Sequence, residues 1–310
     1  RLTKYLPDLK RTVSGMEDSS GSVIALIKAW GSGLDQDMWL DAADARKRGI
    51  TSSAGGIKLV EIHDPKKLEE MLKQLAMGKS VGILSVWPDK AKKPLQFVIK
   101  KGQSLSIPEF DCSLKILDYM PHYSIDAKTR KARNVSKQPV NPAIKVRCTK
   151  GDSTTEQWLW SRFPSSPHSK AKLPFRSEFT AFDFGKKAGR YILAGAADSE
   201  LWIMFFKDGK VVAEKARTGK DYPLSDAKYA VAIKEYYGSG IIKDEWKNGD
   251  ESLVRPAIIA TVQKGQKEKE MVLEMGKRGR YSDDDEAITL LFGRKANPKM
   301  KGRGKGEPVK

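Results

Sequence analysis

Apolar positions along this chain recur mostly at every second residue, in short runs closed by Gly, Pro, Asn or Asp. Leu114 and Ile116, followed by Tyr119, alternate with polar residues as a half-buried strand does. Arg190–Ala194 and Leu201–Phe206 read as two further strands. Lys207-Asp208-Gly209-Lys210 then turns the chain back into Val211-Val212-Ala213. Asp-Gly between apolar strands is the strongest short-range signal for a hairpin. The helical period appears once with full punctuation. Asp64 stands as N-cap, Pro65 occupies the first helical position, Leu68, Met71, Leu72 and Leu75 share one face, and Gly78 ends the run. Leu2–Leu9 is expected to hold a short turn of helix. The pattern predicts a mainly β protein with one short helix.

The strand patterns repeat. Gly102–Pro121 aligns without a gap on Gly219–Gly238, matching Leu105 to Tyr222, Leu114 to Val231, Ile116 to Ile233 and Tyr119 to Tyr236. A second block matches Pro142-Ala143-Ile144 to Pro256-Ala257-Ile258, Lys150-Gly151 to Lys264-Gly265 and Glu156–Leu159 to Glu270–Leu273. Val23–Lys28, Gly31 and Asp37–Leu40 read as a partial first copy that enters part-way. Each copy would hold a strand, a long polar loop (Ser124–Val140, Ile241–Val254) and a hairpin. Such loops exceed the usual connection length, and that length marks functional segments. The expected architecture is tandem repeated antiparallel β-sandwich-like units. The boundaries are a partial first β repeat over 1–63, helix plus second repeat over 64–175, a third repeat over 176–292, and a disordered basic tail over 293–310. The tail holds seven Lys/Arg against one Glu.

Composition narrows the function classes. Of 310 residues, 39% are hydrophobic and 31% charged, a globular balance able to bury a core. No apolar run reaches membrane-spanning length. The chain begins at Arg1 without a signal-peptide pattern, so a segment before Arg1 is expected to carry any anchor. A net charge of +18 and pI near 9.6 direct attention to anionic partners: nucleic acid, anionic lipid or an acidic protein. Much of the excess is scattered in Lys-Lys and Lys-Arg pairs, the habit of a solvated surface.

Candidate chemistry is sparse. Cys112 and Cys148 form neither CxxC nor CxxCH, which excludes a zinc ribbon and covalent c-type haem; both fall in apolar-alternating stretches, where buried thiols are the default, with a disulfide as the alternative. His63, His122 and His168 have no Cys or carboxylate at metal-ligand spacing and read as surface residues. The run Asp283–Glu286 lacks EF-hand spacing and reads as an exposed acidic turn. Neither a P-loop, a Rossmann fingerprint nor a G-x-S-x-G elbow occurs. No catalytic residue and no metal ligand are assigned, and a non-enzymatic role is expected. Most of the seven tryptophans sit beside alternating apolar residues and are expected in the core. Trp160, with Arg162 and Phe163 in a Pro/Ser-rich exit, and Trp246, in a loop among lysines, are the candidate partner surface.

Asp118-Tyr119-Met120-Pro121, Asn141–Val146 and Gln157–Pro164 together resemble the extracytoplasmic β-rich domain of ResB-like cytochrome c biogenesis proteins. So do Leu68–Val86 and Tyr191–Gly195 running into the Asp-Gly hairpin. The resemblance spans roughly residues 60–295. It rests on degenerate strand patterns, and the chain contains none of that family's transmembrane helices or haem-liganding histidines. It implies a non-catalytic, membrane-associated module on the periplasmic side. Its partners would be membrane-embedded subunits of a cytochrome maturation or electron-transfer assembly, held by protein-protein scaffolding. Transient haem contact and anionic lipid headgroups belong to the same expectation. A scaffold subunit of a membrane complex unrelated to haem is one alternative. A basic nucleic-acid-binding protein is the other, with aromatic and basic residues suited to single strands but no RNP or KH signature.

Overall fold

A computed structural model describes residues 2–6, 9–52, 55–77, 79–89, 91, 93–163, 173–182, 189–224, 228–249, 255–264, 267–282 and 287–293. The basic run 294–310, the acidic run 283–286 and His168 lie outside these residues. The chain is mainly β, 65% strand and 6% helix, in several antiparallel sheets with one short helix. The strands open with β1 (Leu2–Leu6), β2 (Leu9–Gly31), β3 (Leu34–Asp41), β4 (Gly49–Ser52) and β5 (Gly55–Glu61). Helix α1 (Leu68–Ala76) precedes β6 (Gly82–Trp87), β7 (Leu95–Ile99), β8 (Ser104–Ile107), β9 (Cys112–Met120), β10 (Tyr123–Ile125) and β11 (Ala132–Asn134). Next come β12 (Ala143–Lys150), β13 (Ser153–Trp160), β14 (Arg176–Ala181), β15 (Arg190–Gly195), β16 (Trp202–Lys207) and β17 (Lys210–Lys215). The last are β18 (Asp221–Pro223), β19 (Tyr229–Asn248), β20 (Ala257–Lys264), β21 (Lys267–Glu274), β22 (Arg278–Ser282) and β23 (Ala287–Leu291).

Two compact units divide these elements: 1–14 with 243–310, and 15–242. Strands β2 and β19 each have residues in both ranges. In the smaller unit, sheet β1-β20-β21 covers a core of Leu6, Leu9, Ala257 and Ile259. Leu2–Leu6 is therefore a strand and not a helical turn. It pairs antiparallel with β20, which satisfies its backbone groups through the sheet.

The larger unit holds three core clusters. Val23, Ala25 and Ile27 of β2 meet Ile57, Leu59, Leu193 and Ile203. Leu114, Ile116, Ile144, Val146 and Phe179 form a second cluster. The third buries Leu68, Met71, Leu72 and Leu75 of α1 against Val60, Ile62 and Met204. Asp64 Oδ1 accepts from Lys66 N at 3.1 Å and caps a 3₁₀ turn over Pro65–Lys67, which leads directly into α1. The Asp-Gly hairpin forms with Lys207 opposite Lys210. Asp208 and Gly209 have φ of 48° and 79°, the two positive values that a type I′ turn requires. Strand β15 lies parallel to β5, with Leu193 opposite Leu59, and the single bridges His122–Asn141 and Thr218–Ile233 are parallel too.

The two aligned stretches have like local pairings. Leu105 faces Leu114 and Tyr222 faces Val231; Gly102 N donates to Ile116 O and Gly219 N to Ile233 O, at 2.8 and 2.9 Å. Sheet β13-β12-β9-β8 is four-stranded, and so is sheet β3-β2-β19-β18. There the hairpin beside β19 is β2–β3, and not the hairpin β20–β21 that follows it in sequence.

Candidate functional site

The sheet β13-β12-β9-β8 places its chemistry by strand alternation. On β12, Ile144, Val146 and Cys148 are buried, while Lys145 is half-buried and Arg147 exposed. The register sets Lys145 between Asp118 and Trp158, Arg147 between Lys115 and Glu156, and Ala143 between Met120 and Trp160. Trp158 and Trp160, two residues apart, thus stand on the same face as Lys115, Lys145 and Arg147, opposite the buried Ile144, Val146 and Cys148. They lie on β13, the edge strand.

The segment from Pro121 to Asn141 folds over this face. Its sequence reads as a long polar loop, yet it contains the hairpin β10–β11. Tyr123 N donates to Asn141 O at 2.9 Å, and Asn141 Nδ2 returns a bond to Tyr123 O at 3.0 Å. This brace sets the Tyr123 ring against Trp158, with centroids 5.0 Å apart, and edge-on to Trp160 at 5.4 Å. Offset and edge contacts of this kind are favoured by the ring quadrupoles. The hairpin tip is tied by Asp126, whose carboxylate accepts from Lys128 N, Thr129 N and Thr129 Oγ1. Those bonds, led by the Thr129 amide, hold the Asp126 carboxyl below its ordinary pKa. At the base of the hairpin, His122 Nδ1 and Asn141 Oδ1 are buried without a partner. His122 was expected as a plain surface residue; its backbone, donating to Asn134 Oδ1 at 3.0 Å, draws it inward.

The candidate surface residues divide. Trp160 is in the cluster. Arg162 Nη1 donates to Val140 O at 3.1 Å, clipping the end of the excursion to the exit of β13. Phe163 is 58% exposed. Trp246 belongs to the smaller unit and lies on β19, not in a loop. It packs on that unit's core, with the Arg11 guanidinium 5.6 Å from its ring centroid. The structure adds Tyr123, Trp158, Lys145 and Arg147, which sequence reasoning did not single out. Strand parity carried the signal for Trp158, since it precedes Trp160 by one full pleat. Nothing local marks Tyr123, because its placement depends on how the excursion folds back. Of the seven tryptophans, Trp202 and Trp246 pack half-buried against core clusters. None is in the fully buried set among the described residues, and Trp30 is exposed, with Nε1 donating to Asp221.

Charge on the face is arranged around one carboxylate. Glu156 accepts from Arg147 Nε at 2.8 Å and Nη2 at 2.5 Å, and from Lys145 Nζ at 2.5 Å. Lys145 and Arg147 hold its carboxyl below the usual glutamate range. Lys101 pairs with Asp118 at 2.6 Å. Between 121 and 141 the chain has Lys128, Arg130, Lys131, Arg133 and Lys137 against Asp126 alone, and all five cations are exposed.

Elsewhere the described residues bring together little that is reactive. His63 Nδ1 sits 3.1 Å from Glu61 Oε1, and no described group of three His, Cys, Asp or Glu has metal-binding geometry. A shallow hollow of about 400 Å³ is lined by Glu200, Lys215, Arg217, Thr218 and Tyr236, with Glu200 and Lys215 paired to each other. Lys58 is enclosed beside the Arg48–Glu178 pair, and burial first, then Arg48, pushes its ammonium down to about 7. Cys112 and Cys148 are buried free thiols. Among the described residues no helix is long and apolar enough to cross a membrane. No family model, curated protein or solved structure matches the chain.

Proposed function

We propose that this chain is a non-catalytic binding module that takes an anionic partner on the hairpin β10–β11 and the parts of sheet β13-β12-β9-β8 beside it. The observation that carries the reading is the grouping of Tyr123, Trp158 and Trp160 with Lys115, Lys145 and Arg147, beside a segment 121–141 that carries five exposed cations. Aromatic rings supply contact area at low entropic cost, and clustered cations raise the local concentration of an anion.

Heparin, as a plain polyanion, tests the reading. The triple variant Lys128→Glu, Lys131→Glu, Lys137→Glu is compared with the charge-matched Lys73→Glu, Lys207→Glu, Lys210→Glu, whose residues are exposed elsewhere in the same unit. The hairpin variant should elute from immobilised heparin at clearly lower salt than the control. Equal elution of both variants would mean that net charge alone drives retention, and the reading fails.

A protein partner is the second reading. Ile125, Val135 and Val140, exposed at 49%, 45% and 42%, stand with Phe163 along the same excursion and its clip. Such an apolar patch fits a protein contact. With the ResB-like resemblance, that partner would be a membrane subunit of a cytochrome maturation assembly. Retrieval of such a subunit from detergent-solubilised membranes, with a Soret band, by the wild type but not by Phe163→Asp would favour it.

A further inference from the structure

Resting on the polyanion reading above, we infer that the partner on this face is a single-stranded nucleic acid, its bases stacked on Trp158, Trp160 and Phe163 and its phosphates on the neighbouring cations. The argument begins with what cations alone achieve. Phosphate contacts position a nucleic acid but do not distinguish single from double strands, since both carry them. Aromatic side chains make the distinction, because only unpaired bases offer free π-faces to stack on.

The face supplies both elements in register. Trp158 and Trp160 point the same way from an edge strand, about 7 Å apart at two residues' rise. Beside Trp158 stands Lys145, and one pleat further are Arg147 and Lys115. Phe163 follows three residues after Trp160 and is exposed, and Arg162 Nη1 beside it donates to Val140 O. Tyr123 braces the two indoles from the hairpin side. A lipid surface would also use the cations, and indole rings suit a membrane interface, so the vesicles in the test below separate the two sources. The charge balance fits as well: Lys101, Lys115, Lys145 and Arg147 outnumber Asp118 and Glu156, before the hairpin cations are added. Glu156 is the discriminating detail. It occupies Lys145 and Arg147 in the free protein, so an incoming phosphate must compete with it.

The test uses the full chain and fluorescence anisotropy of labelled dT20, U20, a 20-base-pair duplex and anionic phosphatidylserine vesicles. One of the two single strands, or both, should bind at least tenfold tighter than the duplex; the preferred one identifies DNA or RNA. Four phosphate contacts would weaken that binding about 50-fold between 50 and 200 mM salt. Phe163→Ala, at an exposed position that folding does not need, and Trp160→Leu should each weaken it about 5- to 100-fold. Trp160→Phe should recover most of that loss. Glu156→Gln should tighten binding several-fold. Duplex binding equal to that of the single strands, unchanged affinity in Phe163→Ala and Trp160→Leu, or a preference for vesicles would each overturn the inference. If heparin still separates the two triple variants, the polyanion reading survives that failure; if it does not, both fall together.

Discussion

Lys58→Met should make the protein more stable at neutral pH and erase a specific alkaline gain. Lys58 lies on β5 opposite Gly49 and Ile192, and its neighbour in charge, Glu178, is already engaged by Arg48 at 2.5 Å. The ammonium is therefore brought out of water with no ion pair of its own among the described residues, and its pKa falls from 10.5 to about 7. At 1.36 kcal/mol per pKa unit this corresponds to ~5 kcal/mol of linked free energy. The side chain keeps intermediate exposure, and solvent screening reduces the figure to about 2–3 kcal/mol. The sign follows from proton uptake. Below about pH 7 both folded and unfolded chains hold the proton, and the penalty is complete. Between about 7 and 10.5 the unfolded chain holds more protons, so wild-type stability rises with pH relative to the variant. Above that window the penalty is gone. Urea unfolding of wild type and Lys58→Met at pH 6, 7, 8.5 and 10 isolates the effect, because the difference cancels other titrations. Lys58→Met should be the more stable at pH 6 by about 2–3 kcal/mol, with the gap closing towards pH 10. A variant that is less stable throughout, with a constant gap, would mean that Lys58 is a charged partner of Glu178, and the reasoning would be wrong.

The thiols and the long strands give two further expectations. Cys112 sits diagonally across β9 and β12 from Cys148, which faces Leu114; burial and the neighbouring thiol push Cys112 up to about 12. Native protein at pH 8 should react with a thiol reagent orders of magnitude more slowly than unfolded protein. Rapid labelling of the native protein would refute this. Gly21 on β2 lies so close to β19 that an added Cβ would stand 2.2 Å from the Gly240 carbonyl oxygen. Gly21→Ala should therefore cost about 1–3 kcal/mol or more, read as a lowered thermal midpoint, and an unchanged midpoint would place the two strands further apart than described.

What was legible in the sequence follows from how local each determinant is. The helix was readable because Asp64, Pro65 and the Leu68/Met71/Leu72/Leu75 stripe are all within one segment. The Asp208-Gly209 hairpin was readable for the same reason. The first strand was missed because Leu2–Leu6 gains its partner only from β20, more than two hundred residues later, and no local pattern announces that pairing. The same limit shaped the candidate surface. Trp160, Arg162 and Phe163 are neighbours in sequence and were picked out together. Trp246 was picked by analogy, a tryptophan among lysines, but a strand that continues past the apparent loop turns it towards a core.

The excursion from Pro121 to Asn141 is where sequence and site part most sharply. Its composition is that of a solvated loop, with five cations and few apolar residues. Two polar side chains convert it into a structured cover: Asn141 braces Tyr123 from one side, and Asn134 holds the His122 amide from the other. The ring of Tyr123 then turns two tryptophans on an edge strand into a three-ring cluster, and the remaining cations are left exposed around it. Had Trp158 and Trp160 served only to anchor this hairpin, the neighbouring charges would be indifferent. Instead Lys145 and Arg147 are gathered on a single carboxylate beside the rings, a concentration of positive charge that hairpin packing does not require and that an anion approaching along β13 would meet first.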